Sequence, residues 1–186
     1  MAEQEALIQT MKEKAQGVQT KVAEIKSLHE AFLYAVDVTK EQNGATIAAP
    51  GLDEENLASL GKLCEEKGLE LLTANLRDHA SEMHTGFTIA DWGIAETATL
   101  VQDSSSEDLR IATMLSETHV AVLPRSRIKL EAMSLEEELS RLMKSAPRYL
   151  AFISGASRTA DIERVLTIGV HGPQELHVLI LKDDKA

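Results

Sequence analysis

Three stretches of the chain carry residue types that do chemistry. The first, Ser-Gly-Ala-Ser-Arg-Thr-Ala-Asp over residues 154–161, closes an apolar run. Gly155 permits a tight turn and a close backbone approach to a ligand. Ser157 and Thr159 offer hydroxyls, and free backbone N–H groups at such a turn attract an anion. Arg158 is the group that holds a carboxylate or phosphate through two parallel hydrogen bonds. The same residues also make a capped turn without a ligand, with Arg158 paired to Asp161 or Glu163.

The second stretch is Asp91 to Thr99, with Glu96 set among isoleucine, alanine and threonine. A carboxylic acid in apolar surroundings acts as a base or as a covalent nucleophile, with Thr97 and Thr99 as hydrogen-bonding neighbours. On the solvent side of a strand it does neither. The third is Gly-Val-His-Gly-Pro, where His171 is either a proton-transfer group or a turn histidine bonded to the backbone.

Several chemistries are excluded by spacing. The Gly-x-x-x-x-Gly-Lys-Ser/Thr loop and the Gly-x-Gly-x-x-Gly fingerprint do not occur, nor does the Gly-x-Ser-x-Gly elbow of hydrolases. The other histidines, His29, His79, His84, His119 and His177, show no metal-binding spacing. The single cysteine, Cys64, sits in a helical pattern and is expected to be a buried thiol. One cysteine cannot hold an iron–sulfur cluster, so no cofactor is expected on this chain.

The elements that must position these groups follow from periodicity. Residues 3–36 show apolar positions at spacings of three, four and seven, which predicts one long amphipathic helix or two, with Gly17 as a candidate break. Residues 45–50 predict a strand stopped by Pro50-Gly51. A helix follows, capped by Asp53 and ended by Gly68. Strands are expected at 69–74, 94–102, 118–124 and 149–154, and helices at 106–115 and 134–144, the last opened by a Ser134–Glu137 capping box. Strands apolar on both faces and alternating with helices imply an open, mostly parallel sheet flanked by helices. The connection His-Gly-Pro-Gln-Glu is too short for a parallel crossover, so the last two strands are expected to form an antiparallel hairpin at one edge. Ligands of such sheets bind beyond the carboxyl ends of the strands, where the three stretches are expected to meet.

The chain has 186 residues, 44% hydrophobic and 26% charged, the balance of a single globular domain with an N-terminal helical segment, 1–36, and an α/β core, 45–186. A net charge of −11 repels phosphate backbones and argues against nucleic-acid binding. There is no membrane-spanning run and no signal-peptide pattern, so the expected location is the cytoplasm. Only 3% of residues are aromatic, so the core must be aliphatic.

The residues 154–163 and 169–178, taken with Ile94-Ala95-Glu96-Thr97-Ala98-Thr99-Leu100, resemble the lactate utilization domain family in sequence and in order. The resemblance implies a fold similar to phosphosugar isomerases and coenzyme A transferases. It also implies a role in oxidising L-lactate to pyruvate beside partner subunits that carry iron–sulfur clusters. In that reading the chain is an accessory subunit. Glu96 and His171 are its candidate catalytic groups, and Thr97, Thr99, Ser157, Arg158, Thr159 and Asp161 bind a small anionic ligand. The long first helix and a second copy of the chain are further docking candidates. The rival readings are a stand-alone acyl or coenzyme A transferase using Glu96 and a scaffolding module with a vestigial cleft. The family usually has glycine where this chain has Ala98, which bears on any backbone angle that only glycine adopts easily.

Overall fold

The structure is a computed structural model and describes residues 2–145, 148–162, 165–168 and 172–182. Its frame is a six-stranded parallel sheet, in spatial order β1 (Lys21–Ile25), β12 (Glu175–Leu181), β7 (Thr118–Pro124), β4 (Thr85–Ile89), β2 (Thr46–Ala48) and β3 (Glu70–Leu72). Helices α2 (Leu28–Glu41) and α3 (Glu54–Lys67) cover one face. The buried core there is aliphatic apart from Cys64, Phe32 and Phe87, and the two phenylalanine rings pack tilted with centroids 5.4 Å apart. The other face carries α1 (Ala2–Gly17), α4 (Glu107–Leu115) and a second, four-stranded sheet. That smaller sheet runs β8 (Ile128–Lys129), β5 (Trp92–Ile94), β6 (Thr99–Asp103) and β9 (Leu150–Ile153), with α5 (Glu136–Ser145) behind it. A separate antiparallel ribbon joins β10 (Arg158–Ile162) to β11 (Val165–Ile168).

Local signals set α3 as expected. The Asp53 carboxylate accepts from the Asn56 N–H at 2.8 Å, and Gly68 ends the helix at φ +65. These bonds favour the ionised acid and hold the Asp53 carboxyl below its usual range.

Four expectations are corrected. Residues 3–36 do form two helices with the break at Gly17, but they are not helical throughout, since a strand separates the helices. Gln19 takes φ +55, the Thr20 N–H donates to Ala15 C=O, and an edge strand follows. From there the apolar side chains alternate between faces: Val22 packs with α1, Ala23 and Ile25 with α2. The terminal hairpin does not form. β12 lies inside the parallel sheet between β1 and β7, and β11 pairs with β10. The short connection does forbid a crossover within one sheet, but the two strands belong to different sheets. The strand expected over 94–102 is interrupted by a single 3-10 turn, Ala95–Thr97. Ser134 lies within a 3-10 turn, Ala132–Leu135, ahead of α5, and so is not its cap.

Candidate functional site

β9 supplies the frame of the site. It pairs antiparallel with β6, so the residues that follow it do not share the carboxyl rim of the main sheet. They lie instead by the amino ends of β1 and β12. The Ser157 N–H donates to Pro173 C=O at 2.8 Å, and Gly155, at φ +85, sits against Val18. A Cβ on Gly155 would lie 2.5 Å from the Val18 carbonyl oxygen, so glycine is required there for both angle and space.

Between α4 and β9 lies a cleft of about 400 Å3. Its walls are Ser104, Arg110, Thr113 and Met114 on one side and the whole run Tyr149–Gly155 on the other, with Ser157, Gly172 and Pro173 at the end. Arg110 is the one charged side chain among the described lining residues, in a chain of net charge −11. Its Nη1 donates to Ser104 C=O at 2.6 Å and to Ser105 C=O at 3.1 Å. Its guanidinium stands over the Tyr149 ring, 5.3 Å from the centroid. Those contacts fix the plane of the guanidinium and leave Nε and Nη2 without a partner among the described residues, enough donors for a carboxylate.

The residues expected to meet are brought together only in part. Ser157 lines the cleft. Arg158, its neighbour on β10, is exposed and donates from Nη2 to the Gly17 C=O at 3.2 Å. It sits on a strand, so no helix terminus adds to an anion site there. Glu96 and Thr97 are exposed on the 3-10 turn, which is anchored by a 3.0 Å bond from the Glu96 N–H to Leu130 C=O. Neither lines the cleft. The Thr97 hydroxyl meets Thr99 Oγ1 at 2.8 Å, and Thr99 Oγ1 meets Ser154 Oγ at 2.5 Å. Thr97 and Thr99 thus back the cleft wall through Ser154 and do not form it. Thr159 and Asp161 belong to β10, but their side chains, like the whole of His171, lie outside the described residues.

The main sheet also carries buried polar groups. His119 is fully buried, with Nε2 at 2.9 Å from the Thr88 hydroxyl and Nδ1 unpartnered among the described residues. Burial, with repulsion from the His177 ring, lowers its pKa to about 4. On the opposite face, His177 is held between the Tyr34 hydroxyl at 3.1 Å and Glu175 Oε2 at 2.7 Å. Cys64 is buried, and desolvation raises its thiol to about 11, which makes it inert. Among the described residues no group of three or more His, Cys, Asp or Glu is placed to hold a metal ion. Among the described residues no helix is long and apolar enough to cross a membrane.

Sequence reasoning missed Arg110, Tyr149 and Phe152. The sequence carried no signal for them beyond the scarcity of aromatics, 3% of the chain; only the structure leaves Tyr149 and Phe152 70% and 52% exposed, which marks a surface with a use.

The model of the LUD domain matches residues 8–181. The chain belongs to the LUD domain family. This LUD domain is similar to lactate utilization protein C of an Exiguobacterium species, 34% identical over 110 residues, covering 58% of this chain and 48% of that protein. It is similar also to lactate utilization protein C of Halalkalibacterium halodurans, 27% identical over 186 residues, covering 95% of this chain and 80% of that one. In the first case the match spans about half of the relative's length. Among solved structures it resembles a DUF162 family protein from Deinococcus radiodurans, with a TM-score of 0.63 at 15% identity over 96% of this chain and 98% of that one. That likeness shows the fold.

Proposed function

We propose that this LUD domain serves in lactate utilization as an accessory subunit of an L-lactate-oxidising system, and that it binds a small anionic ligand in the cleft between α4 and β9. The observation that carries the reading is Arg110: one fixed guanidinium in a partly apolar cleft that has no acidic side chain among its described walls. Arg110 holds the carboxylate, and Ser157 and Ser154 supply hydroxyls nearby. Thr99 and Thr97 keep Ser154 in place. The names of its relatives support the system to which it belongs. The iron–sulfur clusters of such a system sit on partner subunits, since this chain has a single, buried cysteine. The transferase alternative depends on Glu96, which lies off the cleft wall, and no feature of the cleft favours it.

Calorimetry with L-lactate and pyruvate tests the site. Hydrogen bonds to a charged group contribute about 1.5–3 kcal/mol, so Arg110→Gln should weaken binding roughly ten- to hundredfold. Arg158→Gln should leave it within about twofold, because that side chain faces Gly17. Equal loss from both variants, or loss from Arg158→Gln alone, contradicts the assignment. In cells, Arg110→Gln should slow growth on lactate and leave growth on other carbon sources unchanged.

A further inference from the structure

Side chains of a strand point alternately to opposite faces, so a cavity above a sheet touches every second residue. The cleft touches every residue from Tyr149 to Gly155. It therefore lies against the edge of β9 and not against one of its faces. β9 is the last strand of its sheet and pairs with β6 alone among the described strands. The Ser104 N–H donates to Tyr149 C=O at 2.7 Å, which sets the alternation. Gln102–Ala151 and Leu100–Ile153 are then the bonded pairs, and the backbone groups of Leu150 and Phe152 point outward, into the cleft. No described residue bonds them. Unpaired edges of this kind pair with another strand unless they are blocked by charge, proline or a cover. β9 has neither a charge nor a proline, and its rim exposes Met114, Tyr149 and Phe152.

We propose that the cleft receives an extended segment of a partner protein, which adds to β9 as a further strand of the small sheet and carries a carboxylate side chain to Arg110. This rests on the reading that Arg110 binds an anion, and it identifies that anion as part of a polypeptide. The occupant follows from charge complementarity: the described lining offers one cation and no acid, within a chain of net charge −11. It follows also from the groove itself, with the backbone donors and acceptors of Leu150 and Phe152 on the β9 side, and Met114 beside Arg110 and Thr113 on the α4 side, which suits a strand with both apolar and acidic residues.

The test uses the full chain and a displayed library of random short peptides, with selected binders resynthesised. The proposal predicts binders with an alternating apolar pattern and an acidic residue. It predicts that N-methylating alternate backbone nitrogens weakens them more than tenfold, and that Arg110→Gln weakens them about tenfold. Binders indifferent to N-methylation overturn strand addition. If no peptide is selected while L-lactate or pyruvate still binds through Arg110, the inference fails and the small-ligand reading stands. If neither peptide nor small acid binds, both fail. A concentration-dependent dimer abolished by Phe152→Lys assigns the edge to a second copy and likewise overturns the proposal.

Discussion

The turn after β9 is the hinge of the site, and Gly155→Ala probes it directly. At φ +85 any residue with a Cβ is strained, at a cost of about 1–3 kcal/mol. The added Cβ would also lie 2.5 Å from the Val18 carbonyl oxygen and 2.9 Å from Val18 Cβ, which forces a backbone shift worth a further 1–3 kcal/mol or so. The expected loss is roughly 2–6 kcal/mol. For a chain of this size that lowers Tm by about 2–4 °C per kcal/mol. Gly68→Ala is the control: its φ is +65, but nothing lies within 4 Å of the added carbon, so only the angular strain remains. Urea unfolding of both variants, with m-values compared, gives the difference, and Gly155→Ala should exceed Gly68→Ala by at least about 1 kcal/mol. Equal losses would mean that the 154–158 turn does not pack on the segment between α1 and β1, and the cleft would lose its end wall.

Two further outcomes follow. The His119 ring is neutral in the fold because its pKa is lowered to about 4, whereas in the unfolded chain it titrates near 6.5. Its stabilising contribution is complete above about pH 6.5 and is lost as pH falls toward 4, on the order of 3 kcal/mol in all. His119→Gln should flatten that part of the stability–pH curve, and an NMR signal assigned to the His119 ring that titrates near 6.5 in the folded protein would refute it. Ala98 adopts φ +49 with its methyl fully buried, so Ala98→Gly should cost under about 1 kcal/mol, strain relief offsetting the lost contact. Ala95→Gly in the same cluster has no strain to relieve and should cost more; equal costs in urea unfolding would contradict the left-handed turn.

What was legible in the sequence was local. Asp53 and Gly68 bracket α3 because a cap and a left-handed glycine act within one turn of the chain. The doubt attached to Ala98 was well placed, since the backbone does take the angle that favours glycine. Strand assignment was legible for β2, β7 and β9, but not which sheet each joins, because pairing is decided by partners far along the chain. Arg158 and Arg110 show the consequence. Arg158 lay beside glycine and hydroxyls in sequence and drew the anion reading. Arg110 lay in an ordinary amphipathic pattern, and only the packing of α4 across from β9 sets it in a cleft. Likewise the alternation of β1 was hidden beneath a helical spacing that its five residues also satisfy.

The most direct measurement is a crystal structure of the full chain soaked with L-lactate. The account predicts a carboxylate on Arg110, between α4 and the edge of β9, within hydrogen-bond distance of Nε or Nη2. Ligand held by Arg158 or Glu96 instead, or a cleft still empty at concentrations that saturate binding in solution, would contradict it.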